Sequence, residues 1–253
     1  MEKVDYFNLL AVLGALAWLP HLISLVSNLL TKPNLSIISH PELELGYTTF
    51  GPILNMQLAF SAENKEVLIK RIEIILKHDS NETHLLSWDW FEEQLLQMDT
   101  PDQGPMPFKK NQRAIAIKIL KESLVEKKIG FQEKKFKERH YELFNATNEN
   151  YNNIIQNNQD ITALKGTKPY NDLHDFFKNS FIWKVGKYSV DMKVFIAKKD
   201  KPFEHNINFQ LTNLDIKTIE ANIKNCQDFI ENSYIFRKLD FSPQWRWVNT
   251  YKM

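Results

Sequence analysis

The stretch GPILNMQLAFSAENKEVLIKRIEIILKHD, residues 51–79, sets the fold class. In its first half Leu54, Met56, Leu58 and Phe60 fall on one side of an extended chain, with Asn55, Gln57 and Ala59 on the other. Side chains of a strand alternate between faces, so this pattern reads as a strand with one buried face. Glu63-Asn64-Lys65 turns the chain, and Ile72, Ile74 and Leu76 resume the period of two. Asp79-Ser80-Asn81-Glu82 marks another turn before THLLSWDWF (83–91). Runs of this length joined by short turns predict an antiparallel meander with one buried face, covered most simply by a second sheet. The expected fold is therefore a mainly β, sandwich-like and Ig-like body.

Working outward, NLSIIS (34–39) and the run ELELGYTTF ending at Phe50 are strand-like and separated by a His-Pro turn. DTPDQGPMPF (99–108) is a Pro/Gly loop, and RAIAIKIL (113–120) alternates with Ile115, Ile117 and Ile119 on one side. From about Lys121 the period changes. Phe136, His140, Leu143, Phe144, Tyr151 and Ile155 form a helical stripe that fades into an Asn-rich stretch, which predicts a basic helical insertion over about 121–158. SFIWKVGKYSVDMKVFIA (180–197) reads as a hairpin turning at Gly186-Lys187, followed by a strand over 203–212. Thr212 with Asp215 three residues on resembles a capping box. It opens a second helix, about 213–233, with the stripe Ile219, Ile223, Cys226 and Ile230. WRWV (245–248) reads as a closing strand. The domain division that follows is an anchor over 1–31 and one composite sandwich over 32–253 with two inserted helices.

The anchor rests on FNLLAVLGALAWLPHLISLVSNLL, Phe7 to Leu30. As one helix its 24 residues would extend roughly 36 Å, enough for a hydrocarbon core of about 30 Å. Pro20 kinks it, and His21, Ser24, Ser27, Asn28 and Thr31 draw a polar stripe along its second half. Ala15-Leu16-Ala17 would satisfy a signal-peptidase rule, but Lys3 is flanked by Glu2 and Asp5, so the leader is hardly basic. A buried core helix is the third reading. The retained anchor is preferred, making the expected protein single-pass. One cysteine, Cys226, and the basic middle segment lean the body toward the cytoplasm.

Net charge is only +1, but it is segregated: residues 1–107 hold 6 Lys/Arg against 14 Asp/Glu (−8), and residues 108–140 hold 11 against 4 (+7). Lys109, Lys110, Arg113, Lys127, Lys128, Lys134, Lys135, Lys137 and Arg139 compose a candidate patch for anionic ligands. Glu122, Glu126, Glu133 and Glu138 interrupt it, which favours a solvated face and fits nucleic acid poorly. The implied partners are a bilayer through the N-terminal helix, another protein and, through the basic run, anionic lipid.

Reactive signatures are scarce. With seven glycines in the chain there is no Gly-rich phosphate loop, and GxSxG, HExxH and paired CxxC are absent. No cofactor is expected. His78, Asp79 and His84, with Asp89 beyond, are the one grouping that could invite a metal, and His174-Asp175 could hold a general base; a polar turn and a surface helix are the plainer readings. Trp88 with Trp90 and Trp245 with Trp247 form two Trp-x-Trp pairs. On strands each pair shares a face, giving an aromatic patch for stacking a sugar or anchoring a protein, unless the indoles simply fill the core. These features favour a membrane-anchored, non-catalytic binding module, with a tethered hydrolase or metal enzyme, or an anionic-ligand sensor, as the alternatives.

Overall fold

The computed structural model describes residues 14, 16–26, 31–100, 104–197, 199–238 and 241–253, with side chains described outside 94–109. Ten strands form one sheet: β1 (Asn34–Thr48), β2 (Gly51–Glu63), β3 (Val67–His78), β4 (Thr83–Thr100), β5 (Gly104–Arg113), β6 (Ile117–Ile119), β7 (Leu124–Glu133), β8 (Gly186–Ile196), β9 (Phe203–Leu211) and β10 (Val248–Tyr251). Helices α1 (Lys134–Gln156), α2 (Lys168–Asn179) and α3 (Asn213–Tyr234), with a short 3₁₀ turn at Ile161–Gly166, complete the body.

The strand order is β10-β1-β2-β7-β4-β3-β8-β9, all antiparallel, with β5 added beside β4 and β6 beside β3. The two ends of this order meet: the Met253 amide donates to the Asn208 carbonyl of β9 at 2.8 Å, and the Thr250 hydroxyl donates to Gln210 O at 2.9 Å. The sheet is barrel-like. The mainly antiparallel β body is as expected, but its two facing layers are opposite walls of one sheet rather than two separate Ig-like sheets. The reason is the position of β7, which inserts between β2 and β4. β2 and β3 are consecutive in sequence but not neighbours, so the expected meander survives only as the hairpins β1–β2 and β3–β4.

β7 also corrects the helical insertion over 121–158: Leu124–Glu133 is strand, and the helix begins at Lys134. Ile129 and Phe131 are fully buried on its inner side. Pairing on both edges with β2 and β4, together with the burial of Ile129 and Phe131, outweighs local propensity. Three α-helices, not two, stand outside the sheet, because NDLHDFF lies inside α2. The turn at Gly186 does not join two strands; β8 pairs instead with β3 and β9.

The inner wall is formed by Leu43, Leu45 and Tyr47 of β1, Leu54, Met56, Leu58 and Phe60 of β2, Ile72, Ile74 and Leu76 of β3, and Val190, Met192 and Val194 of β8, all 0–1% exposed. Burying each such side chain contributes about 1.5–3 kcal/mol. A register shift between Ile69 and Arg71 lets both Ile69 and Ile72 face inward despite their odd spacing. The helices pack beyond the β1–β2 turn, where the buried Tyr47 hydroxyl donates to Phe177 O of α2 at 2.7 Å. Gly51, at φ +87°, supplies the backbone that this turn needs, and its missing side chain is replaced by the Phe136 ring. α3 opens with the expected capping box: Thr212 N donates to Asp215 Oδ2 at 2.7 Å and Asp215 N to Thr212 Oγ1 at 3.3 Å.

Among the described residues no helix is long and apolar enough to cross a membrane. The anchor expected over 1–31 lies partly outside them, and the described stretch 16–26 is helical with every side chain exposed, Trp18 and Ile23 among them. It is not a core helix.

Candidate functional site

A cleft of 370 Å³ opens on the outer face of the β1-β2-β7-β4 wall. It is built on a bulge. In the β4–β7 ladder Trp88 pairs with Phe131 and Trp90 with Gly130, so two steps of β4 match one step of β7, with Asp89 as the extra residue. Opposed residues share a face and successive residues alternate. Trp88 therefore follows Phe131 toward the core, and Trp90 follows Gly130 outward. The expectation that Trp88 and Trp90 form one patch is corrected by this single inserted residue. The bulged Asp89 is held from two sides: its carbonyl accepts from Ala114 N at 3.0 Å and its carboxylate from Lys137 Nζ of α1 at 2.5 Å.

Two glycines seat the aromatic rings. A Cβ on Gly130 would lie 2.1 Å from Trp90 Cε2, and one on Gly46 of β1 would lie 2.4 Å from Trp247 Cε3. Each indole thus lies over bare backbone, closer than any side chain would permit. The segment carrying Trp245 and Trp247 runs as a strap ahead of β10, fixed by α3. The fully buried Asn222 donates to Arg246 O at 2.7 Å and accepts from Arg246 N at 2.9 Å, and Asn225 donates to Gln244 O at 2.9 Å. Asn222 thereby supplies both bonds that a neighbouring strand would give.

The walls are the β1–β2 turn, Thr48 to Phe50, and the end of β5, Asn111 to Arg113. Gln132 lies on the floor beside Ile53, its side-chain amide donating to Phe50 O. Among the described residues Asn111, Gln112 and Arg113 have no partner for a side-chain hydrogen bond or ion pair. Asp89 and Arg113 are the two charged side chains of the lining.

Trp90, Trp245 and Trp247 are thus brought together from two remote segments, and Trp88 is not. The basic residues are dispersed. Lys127 pairs with Glu93, Lys128 with Glu44, Lys134 with Glu138, Lys137 with Asp89 and Arg139 with Glu142. Lys110, Arg113 and Lys135 have no ion pair among the described residues, and the Lys109 side chain lies outside them. Lys127 and Lys128 lie on β7, while Lys134, Lys135, Lys137 and Arg139 lie on α1.

The histidine groupings are paired only in part: His78 and one nitrogen of His84 have partners, while the buried Nε2 atoms of His84 and His174 have none among the described residues. Ser80 donates to His78 Nδ1 through both its hydroxyl (2.8 Å) and its amide (3.2 Å), which places the ring proton on Nε2. Nε2 faces the Val185 carbonyl at 3.1 Å and Asp79 Oδ1 at 3.1 Å, while Asp79 Oδ2 accepts from Lys187 N at 3.0 Å. His84 contacts Glu133 at 3.1 Å. The His174 ring lies tilted against Tyr170, centroids 4.3 Å apart, and burial holds its pKa below the usual range. Among the described residues no three His, Cys, Asp or Glu are grouped to hold a metal ion. Burial pushes the Cys226 thiol far up, so it is a core residue rather than a nucleophile.

No family model and no curated protein matches the chain. One solved structure with a partial likeness is a family 123 glycoside hydrolase from Clostridium perfringens, studied for glycolipid glycan hydrolysis. It is 11% identical with a TM-score of 0.34, and the match covers 72% of this chain and 27% of that one. This chain therefore spans about a quarter of that structure, an overlap too loose to transfer fold, site or chemistry.

Proposed function

We propose that this protein is a non-catalytic binding module whose ligand site is the outer-face cleft, held near a bilayer by its apolar N-terminal stretch. The observation that carries the reading is the convergence of Trp90, Trp245 and Trp247 beside Asn111, Gln112 and Arg113, whose side chains have no partner among the described residues. Ligand sites combine apolar and aromatic lining with a few polar groups that fix orientation, and this cleft lies at the lower end of the common size range of about 300–1,000 Å³. Acid–base hydrolysis of the kind that needs paired carboxylates has one candidate in the lining, Asp89, and that carboxylate is tied to Lys137. Bilayer contact is supported by the exposed Leu16, Trp18, Leu19, Leu22, Ile23, Leu25 and Val26.

The test is a fragment screen on the full chain, followed by indole ¹⁵N–¹H signals. Hits should move Trp90, Trp245 and Trp247 while Trp183, whose Nε1 is bonded to Gly46 O at 2.9 Å, stays still. Hits that all map elsewhere, or substrate turnover abolished by a cleft mutation, would overturn the reading. For the bilayer, the full chain should float with phospholipid vesicles and a chain lacking residues 1–31 should not.

A further inference from the structure

We infer that the ligand of the outer-face cleft is an uncharged saccharide of one or two rings, stacked on the indoles of Trp90 and Trp247 and gripped at its hydroxyl rim by Asn111, Gln112, Arg113 and Asp89. This rests on the reading of the cleft as a ligand site. A pyranose ring has a flat face of C–H groups and an edge of hydroxyls, so its receptor needs a flat apolar plate bordered by planar groups that pair with two hydroxyls at once. The cleft has both parts. The glycine seats hold two indoles against the sheet, so their orientation is fixed before any ligand arrives. Carboxamides carry a donor and an acceptor in one plane and a guanidinium carries a fork of donors, and those of Asn111, Gln112 and Arg113 have no competing partner among the described residues. Asp89 holds one carboxylate oxygen against Lys137, which fixes the position of the other.

Charge separates this ligand from the other flat ones. Asp89 is neutralised by Lys137, which leaves Arg113 as the single uncompensated charge of the lining, fewer cations than a phosphate backbone requires, and this argues against stacked nucleotides. A proline-rich peptide would need an aromatic groove and only a few hydrogen-bond donors. Here the polar rim is too extensive for that, and a peptide would leave most of it unpaired. The strap is also set in advance: Asn222 and Asn225 hold the backbone on both sides of Trp245, so binding costs little ordering of the chain.

The experiment uses the full chain, ¹⁵N-labelled at tryptophan, in a detergent without a sugar headgroup. Methyl glycosides of the common neutral hexoses and pentoses, then maltose and cellobiose, are titrated into the tens-of-millimolar range. At least one should shift the Trp90 and Trp247 indole signals saturably, with Trp183 unmoved. Trp247→Ala should weaken that binding at least tenfold. The pair Gln112→Ala with Arg113→Ala, one half-buried and one exposed and neither in the core, should weaken it three- to tenfold, so the conclusion does not hinge on one variant folding. If no neutral saccharide moves these signals but indole or a proline-rich decapeptide does, the cleft is a site and the saccharide assignment is wrong. If only sulfated or phosphorylated sugars bind, the uncharged assignment is wrong. If no probe moves them, the ligand-site reading falls as well.

Discussion

The outer-face cleft and the turn around His78 belong to the same sheet, yet they treat their polar groups in opposite ways. At the turn, both ring nitrogens of His78, both oxygens of Asp79 and the hydroxyl of Ser80 have partners within 3.1 Å. In the cleft, Asn111, Gln112 and Arg113 have none among the described residues. The turn carries the residue types of catalysis, His, Asp and Ser, bonded to one another, although Asp79 is half exposed and a pocket of 460 Å³ opens beside it. The cleft has less reactive side chains, held open. A ligand site sets a few polar groups beside an apolar plate, and the cleft offers both where the turn ties its polar groups to one another.

Four changes would break or sharpen this contrast. The largest effect is expected from Gly130→Val. Its Cβ would fall 2.1 Å from Trp90, and overpacking of this kind costs about 1–3 kcal/mol. Urea unfolding should show that loss, and cleft binding should fall more than tenfold because the indole leaves its seat. A variant with native stability and an unmoved Trp90 signal would contradict the seating. Next comes Asn222→Ala, which leaves the Arg246 amide and carbonyl unpaired behind the strap. Each buried unsatisfied group costs about 1–3 kcal/mol, and the Trp245 and Trp247 indole signals should broaden or move while Trp90 keeps its position.

Gly186→Ala sharpens the contrast from the other side. This residue has φ +141°, and an added Cβ would sit 2.6 Å from His78 Nε2, so about 1–3 kcal/mol of stability should be lost with the cleft signals unchanged. A change in ligand binding would mean that the two regions are coupled. The smallest effect concerns His140, half-enclosed by Phe136, Phe144, Phe176 and Phe177 in the helical layer. Burial lowers its pKa. Neutral in the folded state and freely protonated once unfolded, it adds stability that is fully present above pH about 6.5 and is lost as pH falls from there through its lowered folded value. Urea midpoints at pH 8 and pH 5.5 should therefore differ less in His140→Gln than in the wild type.

Much of the sheet was readable in advance where the period of two is unbroken. Leu54, Met56, Leu58 and Phe60 are inside as their spacing required, and so are Ile117 and Ile119, although Ile115 of the same run is exposed because it precedes β6. The capping box at Thr212 located α3 because its chemistry is local. The site was only half readable. Four tryptophans were visible as two pairs, but alternation holds only while the register does, and the bulge at Asp89 sends Trp88 and Trp90 to opposite faces. Asn222 gave no signal at all. An asparagine inside a helix looks like an exposed polar residue until the strap that it holds is in place.

The sequence alone determined that the body is antiparallel β with one buried face, that a capped helix follows β9, and that indoles are concentrated at two points in the chain. Each of these depends on residues within a few positions of one another. The tertiary structure decided that β7 separates β2 from β4, that the sheet closes through the C-terminal residues onto β9, and that Gly46 and Gly130 receive rings from elsewhere. Strand partners are chosen among segments far apart in the chain, where one extra residue reverses every side chain beyond it, and no local pattern encodes that choice.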